Sequence, residues 1–384
     1  MSWPRDDAKL DRVQDLMAEQ ELDAIVARAP DNVLYLTNFW PMKGYDAVVF
    51  PRDGEPTLIC LEASADDAAR MAWTGDVRFF AGYHPSDPRP PLSRTLDLAR
   101  DAARDYRRVG LELSLGTQAS DRMVGEPTTF TREWFDAFPG AVDATPLLVQ
   151  ARAIKTEQEI ERIRLANAIA AAAMEQVARE LRAGMKESEA AALWEAFVHG
   201  EGTGWRGKVE LALGYSLVWS GPGIRTFTAT ADRPVQEHEP TLFEIWVCAD
   251  GYWADHTKNV CPGELDGRYA ELERQVMSVY TDITQGLRAG SSLAELDRSM
   301  RAGLAEIGYP GQPSHPICHG VGARAHEPPY AHQAGTGTVE EGMVLAIEPG
   351  IYWPEGGGLR VEDNFLITES GAQKLSPFPD GIVR

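Results

Sequence analysis

The sequence predicts an α/β (α+β) protein of two domains: a mixed α/β domain over residues 1–150 and a pseudo-twofold domain over 153–384. Three observations carry this. In the first third, short apolar strands alternate with helical patterns. Further on, Leu181-Arg-Ala-Gly184 recurs as Leu287-Arg-Ala-Gly290, 106 residues later, each time between two helical patterns. Nearly the same step carries Glu244 to Glu348 and Asp255 to Glu362, at 104 and 107 residues. Each half of the second domain then reads as helix, helix and a hairpin bearing two acids.

In the N-terminal domain, Asp11 to Gln20 is amphipathic and L-D-A-I-V-A reads as a buried strand. N-V-L-Y-L-T-N-F leads into Gly44 to Phe50, followed by the turn P-R-D-G-E-P and the strand T-L-I-C. A Pro-rich loop, G-Y-H-P-S-D-P-R-P-P, precedes a helix near Ser93 to Arg107, and the domain ends between Val149 and Ala153. Phe39, Trp40, Met42 and Tyr45 form an apolar cluster, suited either to this core or to covering a neighbouring site.

The second domain opens with a capping box, Thr156 and Glu159. Ile160, Ile163, Ala170, Met174, Val177 and Leu181 follow at helical spacing, and Gly184 ends the run. Ser292 caps a later helix with Leu293, Leu296, Met300 and Leu304 on one stripe and Gly308 as its stop. Both stripes read as core packing. Trp205 and Arg206, in the Gly-rich stretch E-G-T-G-W-R-G-K, suit a pocket or an interface.

F-E-I-W-V-C-A-D-G-Y-W-A-D and I-E-P-G-I-Y-W-P-E-G-G-G-L-R-V-E each read as strand, Gly-containing turn and returning strand. Strand side chains alternate, so Leu242, Glu244, Trp246 and Cys248 share a face, as do Val344, Ala346 and Glu348, and Arg360, Glu362 and Asn364. A carboxylate facing inward among apolar neighbours is costly unless it is paired or holds a metal. With His319, in H-G-V-G-A-R-A-H-E-P-P, the acids Glu244, Asp255, Glu348 and Glu362 make a nitrogen-and-oxygen donor set. It suits two divalent ions of the Mn, Co, Zn or Fe(II) type. Two such ions, ~3.5–4 Å apart, can activate water and polarise a carbonyl. Any one of these acids alone would read as a solvated side chain of an acidic protein; the set of five points to metal-dependent hydrolysis.

The 384-residue chain, 43% hydrophobic and 25% charged, is long enough for two globular cores. A net charge of −21 argues against a nucleic-acid partner or an anionic membrane, both of which attract basic patches. M-S-W-P-R-D-D-A-K-L has no apolar signal region and no stretch approaches ~18 apolar residues, which sets a cytoplasmic expectation. Cys60, Cys248, Cys261 and Cys318 lack C-x-x-C spacing and read as free structural thiols. Cys318, next to His319, has a catalytic thiol as its alternative reading.

These motifs carry a family resemblance. A-R-A-I-K-T-E-Q-E-I, Glu244-x10-Asp255 around Gly251-Tyr252, His315-x3-His319-x6-His326-Glu327, Glu348-Pro-Gly-x-Tyr352 and Arg360-x-Glu362 lie in order from about Ala153 to the C-terminus. Together they resemble the catalytic domain of the prolidase, aminopeptidase P, creatinase and methionine aminopeptidase superfamily, the "pita-bread" fold. N-V-L-Y-L-T-N-F is similar to the N-x-x-Y-L-T-G-F of its N-terminal domain. The resemblance implies that Glu244, Asp255, His319, Glu348 and Glu362 are the metal ligands. It also implies that His326 and His315 serve catalysis beside Glu348 as proton shuttle, and that Tyr352 and Arg360 face the substrate. A homodimer, with one subunit's small domain capping the other's site, is implied as well.

Two departures bear on activity. Glu244 stands where the family has Asp, and its extra methylene moves the carboxylate by ~1.5 Å. Gly221 to Thr230, where the peptidases carry a substrate-contacting His, has none and holds Arg225 instead, a group that binds carboxylates but cannot shuttle protons. The leading expectation is a dinuclear-metal hydrolase of a C–N bond of the Xaa-Pro dipeptidase or aminopeptidase type, acting on a small peptide or amide. The departures favour, as alternative, a creatinase-like hydrolase or lyase of a small amino-acid derivative, with or without metal. A non-catalytic binding protein of the same fold is the third reading, disfavoured because all five ligand positions keep metal-competent side chains.

Overall fold

The computed structural model describes the chain apart from residues 1–2, 42–44, 114–127 and 226–227. It divides into two compact units, Met1–Arg152 and Ala153–Arg384.

The first unit runs α1 (Asp7–Glu19), β1 (Ala24–Ala27), α2 (Pro30–Thr37), β2 (Ala47–Pro51), β3 (Thr57–Leu61), α3 (Ala65–Met71), β4 (Asp76–Phe80), α4 (Pro91–Ala102), β5 (Val109–Leu111), α5 (Thr128–Ala137), β6 (Val142–Asp143) and α6 (Thr145–Ala153). The strands form one mixed sheet in the order β4-β3-β2-β1-β5-β6. Alternation along β1 explains its two apolar faces: Ile25 and Ala27 join Val13, Met17 and Leu36 in one core, while Ala24 and Val26 join Leu92, Leu96 and Trp134 in another. Each fully buried Leu, Ile, Val or Phe there contributes ~1.5–3 kcal/mol.

N-V-L-Y-L-T forms most of α2, started by Pro30 in its first turn and ended by Asn38 in the left-handed conformation. The helix read near Ser93 to Arg107 runs instead from Pro91, a residue that fits a first turn, to Ala102. Of the apolar cluster, Phe39 packs in the core and Tyr45 is exposed, while Met42 lies outside the described residues.

The second unit continues with α7 (Glu157–Glu180), α8 (Glu187–Phe197), β7 (Ala212–Ser220), β8 (Thr241–Ala249), β9 (Tyr252–Val260), α9 (Gly267–Gly286), α10 (Leu293–Glu306), β10 (Cys318–Gly320), β11 (Glu327–Tyr330), β12 (Val344–Ile347), β13 (Gly350–Tyr352), β14 (Gly358–Arg360), β15 (Asp363–Thr368), β16 (Gly371–Lys374) and β17 (Ile382–Val383). The capping box forms as read, with the Thr156 hydroxyl accepting from the Glu159 amide and the Glu159 carboxylate from the Thr156 amide.

The four-letter repeat marks structural equivalence. Leu181 and Leu287 end α7 and α9 in the same extended conformation, and Gly184 and Gly290 both take a positive φ that only glycine adopts without strain. The Gly184 amide donates to Val235 at 2.9 Å and the Gly290 amide to Val339 at 2.8 Å. Lys186 then bridges Pro234 as Ser292 bridges Thr338. Two sheets complete the halves, β17-β9-β8-β7 and β11-β10-β12-β15-β16. They meet where Thr257 of β9 bridges Glu362 and Asn364 of β15 exchanges two hydrogen bonds with the Asp255 backbone.

The first predicted hairpin is regular. Asp250-Gly251 connects β8 to β9 with both residues at positive φ, as a two-residue turn requires. The second is interrupted: β13 pairs only with β14, whereas β12 pairs with β15. After Arg360 the chain exchanges β13 for β9 as its partner, and the Glu362 amide donates to the Thr257 carbonyl. Arg360, Glu362 and Asn364 are therefore not consecutive positions on one strand.

Candidate metal centre

Register places the acids. On β8 and β9, Glu244 is the direct partner of Thr257 and Trp246 of Asp255, so all four side chains stand on one face of the sheet. His319 sits on β10 and Glu348 directly follows β12, which pairs with β10. Glu362 enters from the crossover before β15.

The result is a buried cluster around one imidazole nitrogen. His319 Nε2 lies 3.4 Å from Glu348 Oε1, 3.6 Å from Asp255 Oδ2 and 4.0 Å from Glu362 Oε1. His326 Nε2 is 3.4 Å from Asp255 Oδ2 and the two histidine ring centroids are 4.3 Å apart. Glu362 also accepts from the Thr257 hydroxyl at 2.8 Å. Glu244 belongs to the same electrostatic cluster, but its Oε2 accepts from Arg360 Nη2. Arg360 in turn donates to Thr257 Oγ1 at 2.7 Å and to the Tyr352 hydroxyl at 3.0 Å.

Burial sets the protonation of these groups. It pushes Asp255 well above the usual carboxylate range, and the charges on Glu362, Glu244 and Glu348 add to the effect. Glu362 is raised to about 8 by burial and then by Glu348. Burial also raises Glu348, but the neighbouring His319, with His315 and Arg360, more than offsets it and holds the group down to about 2. Burial raises Glu244, opposed by Arg360.

These residues fit a divalent cation. A carbonyl can only accept, so the Gly320 oxygen, 3.0 Å from His319 Nδ1, takes the Nδ1 proton. Nε2 is the atom that a proton occupies beside Glu348 in the metal-free site, and its lone pair is what a cation would take in that proton's place. That Nε2, 3.4 Å from Glu348 Oε1, and both Asp255 carboxylate oxygens are buried, and among the described residues none of the three makes a well-formed hydrogen bond. Electron-rich atoms facing one another in a dry site call for a proton or a metal ion between them. Among the described residues, two three-residue groups have converging donor atoms: Asp255, His319 and His326; and His319, Glu348 and Glu362.

The other expected site residues divide. His315 joins the cluster: its Nδ1 is 3.4 Å from Glu348 Oε2 and 2.6 Å from the Pro316 carbonyl, and its Nε2 is 3.1 Å from the Tyr352 hydroxyl. Burial lowers its pKa. Arg225 is not brought in; it is exposed, and its Nη2 donates to the Glu355 carbonyl at 3.4 Å. Within the same Gly221 to Thr230 stretch, Thr226 and Phe227 lie outside the described residues. Cys318 is buried, which pushes its thiol far above the range of a nucleophile.

Two participants escaped the sequence reading. Thr257 links Arg360 to Glu362, and its position two residues after Asp255 on a strand was the available signal. Lys155 Nζ forms a buried ion pair with Glu327 Oε1 at 2.9 Å, tying the start of this unit to the residue after His326. Nothing local to either residue announces that contact, which joins positions 172 apart.

Comparison with known proteins agrees with this geometry. Residues 161–369 match metallopeptidase family M24, and residues 9–166 match the creatinase/prolidase N-terminal domain. An uncharacterized peptidase of Staphylococcus aureus is 26% identical over 372 residues, spanning 96% of this chain and 99% of its own length. The fold is shared with the prolidase from Pyrococcus horikoshii OT3 (TM-score 0.80, 24% identity, 97% of this chain and 99% of that one). It is shared equally with a Xaa-Pro dipeptidase from Bacillus anthracis (TM-score 0.80, 21% identity, 98% and 99%). The chain belongs to metallopeptidase family M24.

Proposed function

We propose that this protein is a dinuclear-metal-dependent peptidase of the Xaa-Pro dipeptidase or aminopeptidase type. The observation that carries the reading is the buried His319 Nε2 facing oxygens of Asp255, Glu348 and Glu362, with no well-formed hydrogen bond among the described residues. In this reading Glu244, Asp255, His319, Glu348 and Glu362 hold the ions. Bound there, divalent ions supply a water-derived nucleophile at neutral pH and polarise the scissile carbonyl.

The chain's own groups do the rest. Glu348, kept anionic by His319 and His315, takes a proton from attacking water and returns it to the leaving nitrogen. His326, part-exposed beside Asp255, hydrogen-bonds the substrate carbonyl. Arg360 and His315 hold the Tyr352 hydroxyl toward the substrate. A homodimer is the assembly that accompanies this reading, and sedimentation checks it. None of the described helices is long and apolar enough to cross a membrane.

Elemental analysis of protein prepared without chelator should give about two divalent ions per chain, and the loaded protein should hydrolyse Xaa-Pro dipeptides with Mn, Co or Zn. No ion after incubation with any of these metals would remove the proposal. Glu244→Asp, which shortens the arm by ~1.5 Å, should keep both ions and bind the weaker one more tightly; loss of an ion in this variant would show that the longer arm is required. The Arg360–Glu244 contact favours a second reading, hydrolysis of a small amide or amino-acid derivative at a site with one weakly held ion. One ion per chain, with N-acylated or guanidino amino acids hydrolysed faster than Xaa-Pro peptides, would select it.

Metal binding should displace protons. Glu362 is raised to about 8, so at pH 7 the metal-free site holds a proton there that a cation must expel, and the raised Asp255 acts in the same direction. Affinity should therefore rise with pH from 6 through about 8, the range in which Glu362 ionises. The slope is about tenfold per pH unit for each proton released. Calorimetric Mn titrations in buffers of different ionisation enthalpy measure that number; pH-independent affinity from 6 to 8 would contradict the protonated cluster.

A further inference from the structure

The site face of β8 and β9 carries more than acids. Tyr215, Trp246 and Asp255 are successive cross-strand partners, so their side chains stand in one row across β7, β8 and β9. The row begins on the edge strand with Tyr215, 40% exposed, passes Trp246 at 7% and ends on Asp255 at 1%. The Tyr215 and Trp246 rings are stacked at 5.4 Å and 24°. Trp246 also meets the His326 ring at 6.3 Å; His326 lies 4.3 Å from His319, and His319 lies 6.3 Å from Tyr330, itself 47% exposed. Five rings thus run from one exposed tyrosine to the other, across the donor cluster.

Aromatic faces bordering a buried polar cluster offer a substrate two different environments. The carboxylates and histidines take the reacting amide, while the rings offer flat apolar area with a preference for other rings. The position of Trp246 couples the two, since it is the direct partner of Asp255 on one side and of Tyr215 on the other.

We propose that Tyr215 and Trp246, continuing into His326, form a specificity wall that receives an apolar side chain, best an aromatic one, flanking the scissile C–N bond. This rests on the hydrolytic reading above. A glycine in that substrate position leaves the wall unused, so the wall sets a preference rather than the basal rate. Aromatic pairing of this kind is worth roughly three- to tenfold in binding.

The test uses the metal-loaded full-length chain, Phe-Pro and Gly-Pro as substrates, and the variants Tyr215→Ala and Trp246→Leu, with metal content measured for each. The wild type should favour Phe-Pro over Gly-Pro by about tenfold in kcat/KM. Each substitution should remove most of that preference through KM for Phe-Pro, with metal content unchanged. Equal use of both dipeptides by the wild type, or a preference that survives both substitutions, overturns the wall. Failure of the hydrolytic reading looks different: neither dipeptide is turned over. The wall is then measured by calorimetric titration of L-phenylalanine hydroxamate and glycine hydroxamate into the same proteins. A preference for the phenylalanine compound that both substitutions abolish supports it, and equal affinity or no binding overturns it.

Discussion

His319→Ala and Glu362→Ala should each strip divalent ions from the site and lower hydrolysis by more than about a hundredfold, the upper end of what losing a mere supporting partner of a metal ligand costs. His319 offers the lone-pair nitrogen at the centre of the cluster, within 4.0 Å of oxygens from Asp255, Glu348 and Glu362. Glu362 is its counterpart from the crossover between β14 and β15, steadied by Thr257. Folding should survive both changes, because neither residue is part of the large apolar cluster around Leu272, Met300, Leu304 and Leu345. In the metal-free state Glu362→Ala even removes a buried carboxylate whose charged form the fold disfavours. Elemental analysis, far-ultraviolet circular dichroism and dipeptide hydrolysis together check the expectation. Full metal content and activity in either variant would mean that the ligand assignment is wrong.

Lys258→Met should instead destabilise the protein, by roughly 3 kcal/mol. Lys258 alternates with Asp255 and Thr257 along β9 and so points to the opposite face. There its ammonium pairs with Asp363 at 2.6 Å and Asp380 at 3.1 Å. Burial alone would lower its pKa; the two aspartates more than offset this and hold the lysine charged. Removing it leaves Asp363 fully buried, with Lys374, part-exposed and 3.5 Å away, as the remaining cation among the described residues. That partial compensation places the loss at the lower end of the 3–5 kcal/mol typical of broken buried pairs. Urea unfolding monitored by fluorescence measures it, and a loss below about 1 kcal/mol would show that Lys374 suffices.

Several elements were legible because their causes are local. The Thr156 and Glu159 capping box, the Asp250-Gly251 turn and the periodic stripes of α7 and α10 follow from spacing alone, and all formed. The four-letter repeat predicted the internal twofold, since Gly184 and Gly290 close the same turn in the same backbone conformation. The interrupted second hairpin was not legible. Its break depends on β9 competing with β13 for the chain after Arg360, a choice between partners distant in sequence.

By itself, the sequence determined which donor atoms exist, which face of β8 carries Glu244 and Trp246, and that the halves repeat, because alternation and turn chemistry are properties of a few adjacent residues. Register and burial, which arise only when separate strands meet, decided the rest. They joined Arg360 to Glu244, moved Arg225 away to the Glu355 carbonyl, and set Trp246 directly beside Asp255. They also separated the protonation of chemically identical groups. Glu348 and Glu362 are both buried glutamates near His319, yet one is held down at about 2 and the other raised to about 8. The difference is that the neighbouring His319 and His315 favour ionised Glu348, whereas Glu362 feels the Glu348 charge itself. In a low-dielectric site that depends on which neighbours fall within a few ångströms, a distance that only the folded chain sets.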